Sequence, residues 1–405
     1  MKWLQKLLLS GVFIVSTAVI VQANEWIPVT GADILKEFMG GMKAERTLVN
    51  GEISRGEYFE DGTGTLFAWN ASISRTWKIE GDDRICISAE RKVNCYRLER
   101  NSDNPNLYRT LDVETGDIAE FEVTNGKAII KAEAKDPGSG GGAAAPSTDE
   151  LAAELSNPNT SVASLTIKNQ FRWFEGDLPD ADDQSSYTLL FQPALPFVLD
   201  SGDKIIWRPA VPLLVEQPVF DAETADFEGE TGFGDIVMDL AYAPKRDDKL
   251  LIAFGLITSI PTATNDLGTD RWTLGPEMLI AQSYSKGLYG VFPNHQWDVA
   301  GSGDTEINLT TIQPLFVYLP GGGWNVGSAP SITYDWQAEQ DQWTVPLQVN
   351  VGKTVVWSGR PWKLSVEVNY YVEKAETFGP EWMVGLNVAP VVKNGLASLF
   401  GLNRK

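Results

Sequence analysis

The sequence predicts an all-β chain, a transmembrane antiparallel β-barrel of about 12 strands preceded by a small periplasmic β domain. Three observations carry this reading. From Leu165 onward, segments of roughly ten residues alternate apolar and polar side chains between turn residues, the period-two pattern of strands wet on one face only. The connections between segments alternate short and long, as tight periplasmic turns and longer outer loops do in outer-membrane barrels. Finally, Trp272, Trp324, Trp336, Trp343, Trp362 and Trp382 fall at the ends of these segments, where girdle aromatics sit at a membrane–water boundary.

Taken in order, residues 1–23 read as a secretory signal peptide. Lys2 and Lys6 start it, Leu7 to Val21 is apolar, and Val21-Gln22-Ala23 offers a small-residue cleavage site. Residues 24–135 read as the small periplasmic β domain. A helix is expected from Gly31 to Met42, with strands over 64–69, 74–80, 84–88 and 94–99. Cys86 and Cys95 are nine apart, and an oxidising compartment favours one structural bridge between them across a hairpin. Residues 136–160 open with Asp136-Pro137-Gly138-Ser139-Gly140-Gly141-Gly142, a flexible linker by composition, followed by a short helix capped near Ser147 or Thr148. Residues 161–392 form the barrel, and 393–405 a C-terminal tail.

Within the barrel, Trp343, Val345, Leu347, Val349 and Val351 share one parity, as do Trp362, Leu364, Val366, Val368 and Tyr370. If that parity faces lipid, the other lines the lumen. The candidate selectivity residues are then Arg208, Asp235, Asp239, Glu277, Gln313, Asp335, Gln348, Asn350, Lys363, Glu367, Asn369 and Glu381, with Asn387 beside them. The excess of carboxylates predicts a bias against anions. An acidic cluster, Glu216, Asp221, Glu223, Asp226, Glu228 and Glu230, falls in the longest expected outer loop, read either as solvated surface or as a recruiter of divalent cations.

Composition excludes several functions. With 54 acidic against 33 basic residues and a net charge of −21, no basic stripe exists for nucleic acid. One histidine and two cysteines leave no multi-histidine or multi-cysteine metal centre, so neither metal nor cofactor is expected. Gly232-Phe233-Gly234-Asp235 imitates part of a phosphate loop but precedes a strand, which argues against a nucleotide site. A lipid hydrolase would need His295, the only histidine, beside a nucleophile such as Ser283, but no nucleophile-elbow motif marks that serine. The expectation is therefore not an enzyme.

The C-terminal residues also carry a resemblance. Phe191-Gln192-Pro193-Ala194-Leu195-Pro196-Phe197, Gly232-x-Gly234-Asp235, Ile260-Pro261-Thr262-Ala263-Thr264, Asn294-His295-Gln296-Trp297, Tyr334-Asp335-Trp336 and Gly379-Pro380-Glu381-Trp382 occur in order. Residues 150–392 thereby resemble a bacterial outer-membrane family associated with the meta-pathway of phenol degradation. The resemblance implies an outer-membrane barrel transporting hydrophobic or aromatic compounds. Residues and resemblance together predict an outer-membrane channel for small molecules, with outer-membrane lipid and a small-molecule solute as partners. The alternative is a plugged structural barrel that anchors the periplasmic domain. No partner of that domain is written in the sequence.

Overall fold

The computed structural model describes residues 25–47, 53–69, 71–89, 92–114, 116–124, 127–130, 146–246, 248–265 and 267–399. The signal peptide, most of the glycine-rich linker and the last six residues of the tail lie outside them.

Ten short strands build the first unit: β1 (Trp26–Pro28), β2 (Lys43–Thr47), β3 (Ile53–Tyr58), β4 (Thr63–Ala68), β5 (Ala71–Glu80), β6 (Arg84–Ala89), β7 (Lys92–Asn101), β8 (Leu107–Asp112), β9 (Ile118–Thr124) and β10 (Lys127–Ile130). From β2 to β10 each strand pairs antiparallel with the next, and β10 returns to pair with β2. Nine strands joined by reversals leave the first and last pointing the same way. The closing β2–β10 pair is accordingly parallel, and the sheet curls into a ring.

Helix α1 (Ala32–Met39) places Leu35 and Met39, four residues apart and hence on one face, in the ring's core beside Tyr58, Trp77, Tyr96, Leu98 and Phe121. Cys86 and Cys95 are paired residues of β6 and β7 and are joined by a disulfide. The four strands expected from sequence are present. Strands β1 to β3 and β8 to β10 are additional; several are short and rich in charge, so alternation alone does not reveal them.

Helix α2 (Thr148–Glu154) follows, closed by a capping box in which Ser147 accepts from the Glu150 amide and Glu150 accepts from the Ser147 amide. The second unit then begins with β11 (Ala163–Glu175), β12 (Ser185–Val198), β13 (Lys204–Asp221), β14 (Asp226–Phe233), β15 (Ile236–Ala243), β16 (Leu250–Ile260) and β17 (Arg271–Tyr284). It continues with β18 (Gly287–Gly301), β19 (Asn308–Gly321), β20 (Trp324–Ser328), β21 (Ile332–Asp335), β22 (Trp343–Trp357), β23 (Arg360–Glu373) and β24 (Gly379–Val392), and helix α3 (Gly395–Leu399) ends it. Strands β14 and β15 are one strand broken at Gly234-Asp235. Strands β20 and β21 are one strand broken around Pro330, which lacks the amide a ladder needs. The ring closes through β11–β24 and β12–β13, giving the twelve-stranded antiparallel barrel.

Loop lengths alternate. Residues 199–203, 244–249, 285–286, 322–323 and 358–359 make one rim of short turns, and the longer connections make the other. One expectation is corrected. The stretch Glu216 to Gly232 is no loop but a hairpin that prolongs β13 and β14, with Phe220 paired to Phe227 and Asp221 to Asp226. Valine and phenylalanine favour the strand, and the Asp221 carboxylate accepts from the Glu223 amide and the Thr224 hydroxyl to turn the tip.

Candidate functional site: the barrel lumen and its floor

The outer face of the barrel is apolar. Leu347 is 61 % exposed and Phe254 53 %, and Leu240, Leu256, Val349, Val366 and Leu386 are exposed with them. A continuous belt of this kind is not tolerated in contact with water. Aromatic residues bound it on both sides. Trp272, Trp336, Trp343 and Trp382 stand at the long-loop rim, and Trp324 and Trp362 at the short-turn rim; all are exposed except the half-buried Trp362. Trp173 and Trp297 join the first rim and Trp357 the second.

The inner face is polar and encloses a cavity of about 590 Å³. Of the sequence-derived candidates, Arg208, Asp239, Gln313, Gln348, Asn350, Lys363, Glu367, Asn369 and Asn387 line it. Arg208 Nε donates to Asp239 Oδ1 at 2.8 Å, and its guanidinium lies over the Phe292 ring at 5.0 Å. Glu277 is buried close to this pair, and neither of its carboxylate oxygens has a hydrogen-bond partner. Glu367 lies flat over Gly385, where a Cβ would come within 2.6 Å of its Oε1, so this strand position requires glycine.

Three candidates sit elsewhere. Asp235 occupies the break between β14 and β15 and accepts from the amides of Thr262, Ala263 and Thr269, so it fastens the 261–270 loop. Asp335 accepts from the Gln337 amide in the turn after β21. Glu381 lies at the irregularity where the β11–β24 register shifts. In each case the strand ends or bulges, and period two no longer predicts the face.

Two charged lining residues, Lys168 and Arg172, were not among the candidates. Lys168 and Arg172 project inward from β11 with Thr166 and Gln170 between and below them. Outward-facing Asn169 interrupts the apolar parity of Ile167, Phe171 and Trp173 and so hides the pattern. Its side chain is satisfied by the Leu386 carbonyl and the Tyr187 hydroxyl. With these two, the cavity is lined by Lys168, Arg172, Arg208 and Lys363 together with Asp239 and Glu367, and Glu277 is buried beside Arg208 and Asp239, so the expected excess of carboxylates is not found around it.

A floor closes the short-turn end. Leu155, Ser156, Asn157, Pro158 and Thr160 form part of the cavity wall. Lys363 Nζ donates to the Leu155 carbonyl at 3.0 Å and to Ser156 Oγ at 3.4 Å, and Lys204 Nζ donates to the Asn159 carbonyl. On the other side, Asp149 Oδ1 accepts from the Gly323 amide at 2.6 Å. Gly323 has φ +79°, and a Cβ there would come within 2.5 Å of the Thr354 carbonyl oxygen, so this turn requires glycine. Lys204 opens β13 and Gly323 precedes β20. Counted round the twelve-membered ring these strands are diametrically opposite, so residues 148–160 cross the whole end of the barrel.

The same helix binds the first unit. Arg75 is buried in that ring, where Nη1 donates to the Tyr58 hydroxyl at 2.8 Å and Nη2 to Glu150 Oε1 and Oε2 at 2.9 and 3.2 Å. Burial opposes the guanidinium charge, but the Glu150 carboxylate and Tyr58 outweigh it and raise the Arg75 pKa above its ordinary value. Burial also pushes the Tyr58 phenol up, so it stays neutral. Around this pair Ala68, Trp69, Ala71, Leu151, Val162 and Val391 form a shared apolar cluster, and Ser161 Oγ donates to the Ser72 carbonyl.

The hydrolase constellation is not assembled. His295 points outward; its Nδ1 meets Thr310 Oγ1 at 2.7 Å and its ring packs tilted against Trp297, with centroids 4.1 Å apart. Ser283 pairs with Leu288, seven residues down β18 from His295, which is about 24 Å along the strand. The outer hairpin offers no metal centre either. Among the described residues the one grouping of three potential ligands is Glu80 with Cys86 and Cys95, and those sulfurs form the disulfide.

No family model and no curated protein matches the chain. Among solved structures it is similar to the COG4313 outer membrane channel from Pseudomonas putida F1, at 13 % identity and a TM-score of 0.45 over 57 % of this chain and 95 % of that one. It is also similar to the NanC porin, at 10 % identity and a TM-score of 0.37 over 56 % and 99 %. A third likeness is to outer membrane phospholipase A from Escherichia coli, at 11 % identity and 0.32 over 60 % and 97 %. At these scores the likenesses bear on neither solute nor chemistry.

Proposed function

We propose that the protein is an outer-membrane channel for small solutes, with its first β unit in the periplasm and residues 148–160 as the floor of the pore. The observation that carries this reading is a polar cavity of about 590 Å³ inside a closed barrel whose outside is apolar and rimmed by tryptophan. That size suits a solute of one or two sugar or aromatic rings. Polar side chains lining water cost little, whereas the same residues sealed in a soluble core would need a partner each. Amide and charged linings favour hydrophilic solutes over the hydrophobic or aromatic ones that the family resemblance implies. Short turns face the periplasm in the usual orientation of such barrels, which supports a periplasmic floor and first unit.

The test is a planar-bilayer recording of the full chain, after cell fractionation and heat-modifiable gel mobility have established a folded outer-membrane barrel. Discrete conductance steps are expected, larger in a variant whose floor is loosened by Lys363→Ala and Asp149→Ala together. A second reading, a plugged barrel that anchors the first unit, is favoured by the floor's contacts with opposite sides of the ring. Silence of both proteins in the bilayer would select it.

A further inference from the structure

The chain is strongly acidic, yet its lumen is not. Four cations line the cavity against the carboxylates of Asp239 and Glu367, with Glu277 buried beside Arg208 and Asp239, and the cations differ in how they are held. Arg208 is neutralised by Asp239. Arg172 donates only to neutral partners, Gln170 Oε1 at 2.8 Å and Thr188 Oγ1 at 3.3 Å. Lys363 spends two of its three N–H groups on the floor and keeps one. Lys168 makes no hydrogen bond or ion pair among the described residues; the Glu367 carboxylate, two strands away on the same wall, acts on it electrostatically, as do Arg208 and Lys363.

The register orders these groups. Arg172, Met383 and Asn369 share one level across β11, β24 and β23; Gln170, Gly385 and Glu367 the next; Lys168, Asn387 and Ser365 the third. Lys363 lies one inward step below, at the floor. At about 3.4 Å per residue the three unpaired cations descend one wall over roughly 20 Å, from the long-loop rim to the floor. Glu367 is the one carboxylate on this wall, so three cations share a single negative charge and an added anion relieves the repulsion that remains, while the amides between them supply donors and acceptors for hydroxyl groups.

We propose that this wall binds and passes small polyhydroxylated anions of the sugar-acid class, with Arg172, Lys168 and Lys363 as successive counter-charges. The proposal rests on the channel reading above and names its solute. Isothermal titration of the full chain in detergent with glucuronate, glucose and glucosamine tests it without requiring conduction. Glucuronate is expected to bind at least tenfold more tightly than either of the others. Lys168→Gln should weaken it about tenfold and Arg172→Lys less than twofold, with heat-modifiable mobility unchanged in both. In a bilayer with a KCl gradient the reversal potential should have the sign of anion selectivity, and Lys168→Glu should shift it toward cations. Equal affinities for glucuronate and glucose, or a cation-selective native pore, would overturn the anion wall and leave the channel intact. Glucuronate binding without any conductance would do the reverse.

Discussion

Replacing Glu150 by leucine cuts the contact on which the docking of the two β units turns. The side chain is 4 % exposed and that of its partner Arg75 is 1 % exposed, so water cannot take over the lost charge. Arg75 would keep the Tyr58 hydroxyl as a neutral partner but lose both carboxylate bonds. Removing one member of a buried ion pair costs about 3–5 kcal/mol, because the survivor is left charged and dry. Loss of the Glu150 half of the capping box adds about 0.5–1 kcal/mol. With a urea slope of roughly 1.5–2 kcal/mol/M for a unit of this size, the midpoint should fall by about 2–4 M.

Pulse proteolysis in urea reads that midpoint for residues 24–135 while the barrel stays folded in micelles. The double variant Arg75→Met with Glu150→Leu should recover most of the loss, since a well-packed apolar pair replaces a buried ion pair at little cost. A fall below about 0.5 M for Glu150→Leu would refute the reasoning, because it would make this contact worth no more than a surface bridge.

Other predictions follow from the same structure. The amide of Lys245, helped by Ser201 and Tyr242, holds the Asp203 carboxyl below its ordinary 3.8 in the turn before β13. A lowered pKa stabilises the turn above pH 3.8 and loses that effect as pH falls through the lower native value. Hydrogen exchange at the Lys245 amide should therefore be faster in Asp203→Asn than in the native protein at pH 7, and the two should converge in strong acid. Reducing Cys86–Cys95 opens a nine-residue span and should cost the first unit about 2–3 kcal/mol, read as a lower urea midpoint with dithiothreitol. Leu347→Arg, placed mid-belt, should cost about 2–4 kcal/mol of barrel stability in lipid vesicles, whereas Asn350→Arg on the inner face should cost little.

The barrel was legible in the sequence because a lipid-facing strand must repeat its apolar residues every second position, and β22 and β23 do so without interruption. The same parity identified Gln348, Asn350, Lys363, Glu367 and Asn369 as lumen residues. It failed where the backbone leaves the ladder. Asp235 and Asp335 stand at strand breaks and Glu381 at a bulge, and one displaced residue turns a side chain from one face to the other. It failed again on β11, where Asn169 faces outward and masks the inward cations Lys168 and Arg172. The expected bias against anions rested on the carboxylates that parity turned inward; three of these, Asp235, Asp335 and Glu381, stand at breaks or a bulge, and the inward cations Lys168 and Arg172 were not counted.

Sequence by itself determined the class of fold, the strand number and the helix capped by Ser147, because each follows from contacts a few residues apart. Tertiary structure alone decided that this helix crosses the barrel's end. Asp149 and Asn159 are ten residues apart, yet they meet β20 and β13 on opposite sides of the ring. It alone decided that Arg75 and Glu150, 75 positions apart, share one buried site. Closure of a ring sets such meetings, and no local periodicity records which residues a ring will bring face to face.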